Sequence, residues 1–432
     1  MLVALRYRDF RLLLVGFILS YTGTFMQAAG MLWHVSILVP DDRRALALGM
    51  VGLVRIVPII LFSMISGVAA DALNRRTVML VTQSMMALLA GVLAVLTFRG
   101  LAVVWPIYVL AACSAAVGAF DTPARQSLVP TLVSRADLAN AISLNTIAIQ
   151  VASVMGPAMG GLVIAYVNVG WVYAVNAISF LFVIGALVLM KGQGATHIDG
   201  TAAADRGDFS IGAALDGLRF VFRAPLIRST MLLDFFATFF SSATALLPIF
   251  AQDVLHVGAR GYGWLYAAPA AGAVLTSAVM IRAVDLITHR GRILIGAVVV
   301  YGLATVVFGM STFFWLTFAC LAVTGAADTV SMIFRNLIRQ LETPDYLRGR
   351  MIGVNMIFFT GGPQLGEMEA GLVANWLGPA MSVVTGGIGC ILATLWIAAR
   401  TPGLRRYRTS PQAGPAPGSP LEDVQPPSTT VS

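Results

Sequence analysis

Apolar residues run along this chain in long unbroken blocks, not in alternation. Twelve stretches are long enough to cross a bilayer, each needing about 20 residues. They span residues 11–38, 46–70, 77–98, 103–121, 139–166, 169–190, 229–253, 261–283, 292–311, 313–334, 350–376 and 379–399. Several contain Gly or Pro, which membrane helices tolerate because neighbouring groups satisfy the freed backbone. The pattern predicts an all-α integral membrane protein of twelve transmembrane helices. Between the sixth and seventh, residues 191–209 (KGQGATHIDGTAAADRGDF) read as a flexible linker. Within 210–225, Ile211, Ala214, Leu215, Leu218, Val221 and Phe222 share one helical face, as in a helix lying on the membrane surface. Residues 409–432 are rich in Pro, Ser and Gly without a periodic apolar face and are expected to be disordered. The domain reading is a six-helix bundle over 1–190, a linker with an interfacial helix over 191–228, a second bundle over 229–400 and a disordered tail over 401–432.

Two helix starts carry capping chemistry. Ser134-Arg135-Ala136-Asp137 has capping-box spacing before the fifth helix, with Asp in place of the usual Glu. Thr343-Pro344-Asp345 places an N-cap, a first-turn Pro and an acid before the eleventh.

The chain also repeats itself. Gly118-Ala119-Phe120-Asp121-Thr122 returns about 207 residues later as Gly325-Ala326-Ala327-Asp328-Thr329. Each copy is followed by Gly-Pro-x-x-Gly, first at Gly156-Pro157-Ala158-Met159-Gly160 and then at Gly362-Pro363-Gln364-Leu365-Gly366. Two strings at nearly one offset predict two pseudo-symmetric six-helix halves. Secondary transporters have this duplicated architecture, with the substrate site between the repeats.

Composition narrows the function. Charged residues are 11% of the 432, against about 25% in a soluble domain. Cys113, Cys320 and Cys390 sit on different predicted helices and read as small apolar filler. The four histidines show no ligand spacing, and no phosphate loop or nucleophile elbow appears. An enzyme, a metal and a cofactor are therefore not expected, and energy must come from an ion or substrate gradient or from a partner.

The net charge of +8 does not mark a nucleic-acid binder, because its distribution follows membrane topology. With both termini in the cytoplasm, the external loops hold only Arg43, Arg44, Arg99 and Arg260, and Arg55 lies inside a helix. The basic start Arg6-Tyr7-Arg8-Asp9-Phe10-Arg11 precedes a run too long for a signal peptide, so a retained first helix is expected.

After the second apolar stretch comes Gly67-Val68-Ala69-Ala70-Asp71-Ala72-Leu73-Asn74-Arg75-Arg76. This resembles the signature of the major facilitator superfamily, with Ala72 where a basic residue is usual and Asn74 where Gly is usual. Gly156-Pro157-x-x-Gly160-Gly161 resembles a second motif of that superfamily, associated with exporters. Further strings resemble one bacterial branch, the transmembrane secretion effector or enterobactin-exporter-like group. They are Arg8-Asp9-Phe10-Arg11-Leu12-Leu13, Pro123-Ala124-Arg125-Gln126, Leu138-Ala139-Asn140-Ala141-Ile142 and Gly362-Pro363-Gln364-Leu365-Gly366-Glu367. The resemblance covers residues 5–400. It implies a multi-pass carrier of the bacterial inner membrane that exports a small molecule.

Gly67, Asp71, Arg75, Arg76, Gly156, Pro157, Gly160 and Gly161 are then the candidate gating residues. An acid at a cytoplasmic helix end works against topology, which singles out Asp71; Arg75 and Arg76 serve orientation equally well. If the halves pack as in the superfamily, helix two lies beside helix eleven and Asp71 faces its positive end. Such a contact is worth about 0.3–1 kcal/mol when exposed, small enough to break in each cycle.

Charges away from predicted helix ends are Arg55, Asp234, Asp328, Glu367 and Glu369. Each costs about 2.5–3.5 kcal/mol at the bilayer centre on insertion scales, so such residues pair or line a wet cavity. Arg55 and Glu367 each lie about 14 Å from an outer helix end, which makes an ion pair between the halves an expectation. Glu369 is the competing partner, and a snorkelling Arg55 the alternative. Asp234 and Asp328 are protonatable groups on helices that line the cavity in the superfamily, and protons are the expected coupling ion. Asp328 matches Asp121 in the duplication, which favours a structural role; Asp234 has no evident counterpart and is the better coupling candidate.

Tyr21, Phe25, Gln27, Asn145, Gln150, Phe235, Phe239, Asn355 and Phe359 are the cavity candidates. Phe236, Phe240, Trp264 and Tyr266 add aromatic area nearby. An apolar wall with sparse polar groups suits an amphipathic or aromatic ligand, siderophore- or drug-like. The expected working unit is a monomer in the lipid bilayer. An importer of a hydrophilic nutrient would need a more polar cavity, and a receptor or scaffold a large soluble domain.

Reporter fusions test the topology. A fusion at residue 258 is expected outside, one at 408 inside. External activity at 408 or cytoplasmic activity at 258 would overturn it.

Overall fold

The computed structural model describes residues 3–72, 74–100, 102–190, 218–344 and 347–408; the side chains of 63–72, 243, 285, 348–350, 352 and 357 lie outside the described set. The first half comprises α1 (Arg8–Leu38), α2 (Asp41–Ala72), α3 (Arg75–Phe98), α4 (Trp105–Leu128), α5 (Leu138–Tyr166) and α6 (Val169–Leu189). The second comprises α7 (Pro225–Phe240), α8 (Gly258–Ala283), α9 (Arg290–Met310), α10 (Phe314–Glu342), α11 (Arg348–Leu377) and α12 (Pro379–Arg400). Among the described residues eleven of these are long and apolar enough to cross a membrane. The other is α11, 30 residues and so about 45 Å long, whose acids lower its apolar content. The end of the bundle near both chain ends is called proximal here, and the end where α1 turns into α2 distal.

Packing repeats between the halves. α1 lies on α5 as α7 lies on α11, α2 on α4 as α8 on α10, and α3 on α6 as α9 on α12. The halves meet through two equivalent crossings, α2 with α11 and α5 with α8. Large side chains fill the interior of each half, including Phe10, Phe17, Tyr173, Phe250, Phe308 and Phe334.

Glycine sets the closest approaches. A Cβ on Gly156 would lie 2.7 Å from the Thr22 carbonyl oxygen of α1, and one on Gly362 2.3 Å from Thr238 Oγ1 of α7. Both copies of the Gly-Pro-x-x-Gly string therefore seat the fifth helix of a half on its first. Within the second half, a Cβ on Gly325 would stand 1.8 Å from the Pro269 carbonyl oxygen, so α10 and α8 touch backbone to backbone.

Several elements differ from expectation. α4 continues to Leu128 and α10 to Glu342, past the ends drawn from hydropathy alone. The predicted helix over 229–253 begins at Pro225 and breaks at Ser241–Ser242. It resumes as a 3-10 turn (Ala243–Leu246), an α-turn (Leu247–Ile249) and a π-turn (Phe250–Val254). Pro248, which cannot donate to the ladder, sits inside this irregular stretch.

The predicted caps also differ. Ser134 makes no capping bond to the backbone; its Oγ donates to Asp137 Oδ2 at 2.9 Å. That oxygen also receives Tyr7 Oη at 2.9 Å and Arg6 Nη2 at 2.5 Å, pinning the N-terminal turn to the start of α5. Thr343 ends α10 and does not start α11, whose N-cap is Leu347; Asp345 lies outside the described residues. Of the amphipathic stretch, residues 218–223 are helical and 210–217 lie outside the described set. Val221 turns inward against Ile227, Met231, Met351 and Val354, while Leu218 and Phe222 are exposed. The linker 191–209 and the tail 409–432 are likewise outside the described residues.

Two glycine variants test the packing. Gly325→Ala is expected to lower stability by about 1–3 kcal/mol through overpacking. Gly353→Ala, whose added Cβ meets nothing within 4 Å, is expected to be neutral or to gain up to about 1 kcal/mol from helix propensity. Melting temperatures in detergent would separate them, and equal shifts would refute the assignment.

Candidate functional site: buried charges between the helices

In the first half, Asp121 and Arg125 stand one turn apart on α4. Arg125 donates to Asp121 Oδ2 from Nε (3.0 Å) and Nη2 (2.8 Å). Asp121 Oδ1 receives Thr82 Oγ1 (2.8 Å) and Gln83 Nε2 (2.7 Å) from α3. The guanidinium lies over the rings of Phe17 (4.3 Å) and Tyr21 (4.6 Å) on α1. One buried ion pair thus joins α1, α3 and α4, and Tyr21 serves it as an aromatic face.

The second half builds a related centre on α10. Arg335 is 1% exposed. Its Nη1 donates to Ser331 Oγ at 2.8 Å and its Nη2 to Asp328 Oδ1 at 3.3 Å. The same Nη2 stands 2.9 Å from Asp234 Oδ1 of α7, off the hydrogen-bond line, so neither Asp234 oxygen has a hydrogen-bond partner. Arg339, one turn further on, donates to the Arg335 carbonyl and to Asn336 Oδ1. Asp234 and Asp328 are thereby joined through an arginine that hydropathy assigned to the cytoplasmic loop.

The repeat gives Asp234 a counterpart after all. Gly156 meets the Thr22 carbonyl where Gly362 meets that of Phe235, and Gly160 meets that of Met26 where Gly366 meets that of Phe239. In this register Tyr21 and Asp234 are equivalent, and each reaches the arginine of its own half. Phe235 stacks on Phe239 at 5.6 Å and meets Phe236 and Phe358 edge-on.

The described hydrogen bonds and ion pairs between the halves lie at the distal end. Tyr262 Oη donates to the Ala29 carbonyl and Gln252 Nε2 to Ser36 Oγ, both at 2.8 Å. Arg44 reaches Asp253 across the halves at 2.8 Å and also contacts Asp41. In the α5–α8 crossing, a Cβ on Gly161 would lie 2.7 Å from the Cα of Gly263. In the α2–α11 crossing, a Cβ on Gly49 would lie 3.0 Å from the Cα of Gly371. The two halves are closed against each other at this end.

Other candidates divide between packing and open surface. Phe25 packs on Gly156, and Gln27 accepts from Asn176 Nδ2 at 2.7 Å, which ties α1 to α6. Asn145 and Asn355 each bury an Oδ1 without a partner. Gln150 is half-buried; Phe359 and Trp264 are exposed. Tyr266 packs beside Tyr262. Arg75 Nη1 donates to the Ser127 carbonyl and Arg76 Nη2 to that of Val188, binding the ends of α4 and α6. Asn74 caps α3 by accepting from the Arg76 and Thr77 amides, a job the usual Gly could not do. Gly67 and Asp71 are in α2, with side chains outside the described set.

The expected Arg55–Glu367 ion pair is absent from this conformation: Glu367 Oε2 is buried without a hydrogen-bond partner. The two residues do lie on packed helices. Glu369 is half-buried. The sequence reading missed Arg125, Arg335, Arg339, Thr82 and Gln83. Asp121 and Arg125 at i, i+4 were a usable signal.

Comparison with known proteins places this geometry. The profile of the family described as "Transmembrane secretion effector" matches residues 1–416. An enterobactin exporter of Citrobacter koseri is 26% identical over 362 residues, 83% of each chain. One from Escherichia coli is 25% identical over 359 residues, 82% of this chain and 83% of that one. Among solved structures, a bacterial homologue of the human lysosomal transporter Spinster, inward-facing and unoccupied, superposes with a TM-score of 0.73 at 15% identity. That match covers 94% of this chain and 99% of the other. A bacterial homologue of the iron transporter ferroportin, inward-facing, gives 0.65 at 17% identity over 92% and 98%.

The α4 pair is testable by substitution. Asp121→Ala strands Arg125 and is expected to cost about 3–5 kcal/mol, whereas Asp121→Leu with Arg125→Met is expected to recover most of it. Detergent melting temperatures read the difference; additive losses in a double-mutant cycle would show that the pair is not coupled.

Proposed function

The chain belongs to the transmembrane secretion effector family, a membrane transporter and not an enzyme, and we propose that it exports an amphipathic or aromatic, siderophore- or drug-like molecule by proton-coupled alternating access. Export of a small molecule is what its enterobactin-exporting relatives do. The observation that carries the substrate class is the set of partly open aromatic side chains, Tyr21, Phe235, Phe239 and Phe359, with few open polar groups beside them. Phe235 stacks on Phe239, and Tyr21 turns its inner face to Arg125. Such walls hold a flat apolar body while few polar groups fix its orientation.

In this reading the distal end faces the periplasm, both termini face the cytoplasm, and the closed distal crossings are one half of the transport cycle. Gly156, Pro157, Gly160 and Gly161 hold α5 between α1 and α8, while Gly67, Asp71, Arg75 and Arg76 act at the proximal gate. Arg55, Asp234, Asp328, Glu367 and Glu369 are the charges through which proton movement is coupled. Tyr21, Asn145, Gln150, Phe235, Phe239, Asn355 and Phe359 contribute the cavity wall. The carrier works as a monomer in the bacterial inner membrane.

Inside-out vesicles provide the test. Enterobactin and a panel of amphipathic aromatic compounds are offered with an imposed proton gradient, and gradient-dependent accumulation is expected for at least one. No accumulation across the panel would overturn the substrate class. Accumulation that survives a protonophore would overturn proton coupling and leave the exporter.

A further inference from the structure

The acids set between the helices are not equally compensated. Asp121 has Arg125, Thr82 and Gln83, and Asp234 and Asp328 share Arg335. Glu367 has no counterion within ion-pair distance among the described residues, and its Oε2 is buried without a hydrogen-bond partner. It sits inside the α2–α11 crossing. A Cβ on Gly52 would lie 2.8 Å from that oxygen and 2.5 Å from the Gln364 carbonyl, so the carboxyl is pressed on the backbone of α2.

The duplication supplies a comparison within the same molecule. Five residues after the first Gly of each Gly-Pro-x-x-Gly string stand Gly161 and Glu367. Gly161 closes the α5–α8 crossing against Gly263 with no polar side chain. Its equivalent closes the other crossing with a carboxyl group. Packing does not require that acid, because the sister crossing closes without one.

We infer that Glu367 is the proton-binding group of the distal gate, taking up a proton from distal water as α2 and α11 close and having to lose it before they part again. The inference rests on the alternating-access, proton-coupled reading above. A carboxylate with one oxygen buried in this crossing without a hydrogen-bond partner is disfavoured, whereas the neutral acid is less so. Once the crossing opens, water solvates the charged form. Acid on the distal side therefore favours closure and returns the empty carrier to face the proximal side. The other titratable groups around Glu367 are Arg55 on α2, Tyr262 and Tyr266 on α8 and Glu369 on its own helix. Tyr262 is engaged with the Ala29 carbonyl. Arg55 lies on the packed helix α2 without pairing with Glu367.

The test uses the full chain in nanodiscs, with Cys113, Cys320 and Cys390 replaced. Ser36→Cys reports distal opening, because Ser36 is buried at the closed end and bonded to Gln252. Val103→Cys, in the exposed loop before α4, corrects for the pH dependence of thiol chemistry. The ratio of the two labelling rates with an impermeant maleimide is expected to rise with pH, by up to about tenfold per unit, between about pH 5 and about pH 8. Glu367→Gln is expected to hold the ratio low and flat, and Glu367→Asp to restore the response. Glu367→Gly, which copies the sister crossing, decides the matter if the Gln variant does not accumulate. Arg55→Ala is expected to keep the pH response.

A flat wild-type ratio, an unchanged response in Glu367→Gln or Glu367→Gly, or its loss in Arg55→Ala would overturn the inference. The labelling needs neither substrate nor gradient. Failed transport with intact Glu367-dependent labelling would therefore sink the functional reading alone.

Discussion

No side chain separates α5 from α8 where Gly161 meets Gly263, and none separates α2 from α11 where Gly49 meets Gly371. These backbone contacts are the constraint on which the rest of the structure depends. Without a hydrophobic driving force between helices in lipid, close approach through small residues supplies the attraction. The two crossings hold the halves together at one end and fix the register in which Tyr262, Gln252 and Arg44 complete the seal. Such contacts are tight without being bonded, because glycine backbones meet there with no side chain to interlock.

The buried arginines organise each half around that seal. Arg125 and Arg335 sit toward the proximal ends of α4 and α10, and each gathers groups from other helices of its own half. The two centres are related but not copies. In the first, an aromatic ring of α1 faces the guanidinium; in the second, an acid of α7 takes that place. The repeat keeps the fourth-helix Asp, but the arginine stands four residues after it in the first half and seven in the second, and the first-helix residue that reaches it is Tyr21 in one half and Asp234 in the other. The second centre is therefore the more acidic and the less completely hydrogen-bonded. Glu367 shows a similar difference at the α2–α11 crossing, an acid where the sister half has Gly161.

Much of this was legible in the chain. Block hydropathy located the twelve helices, the repeated strings announced the two halves, and the Gly-Pro-x-x-Gly copies marked the fifth helix of each half. Those features are local or periodic, so a linear reading finds them. The site was only partly legible. Asp234 and Asp328 stood out as acids in apolar runs and Asp121 as part of the repeated string, but Arg335 lay just past the drawn end of its helix and was counted with the loop charges. Hydropathy drops at the first arginine whether or not the helix continues, and α10 continues to Glu342 because that arginine is neutralised by acids from two helices.

The sequence by itself determined the membrane class, the helix count, the duplication and the family, because each follows from the order of residues along one dimension. Only the tertiary structure decided which charges meet. It paired Arg335 with Asp234 across 101 positions of chain, gave Asp234 its counterpart in Tyr21, and left Arg55 and Glu367 on packed helices without an ion pair. Depth along a helix can be read from the sequence, but the direction in which a side chain points around it depends on the neighbour it packs against. The same limit explains the caps: Ser134 and Thr343 have the right neighbours in sequence, and the fold engages them elsewhere.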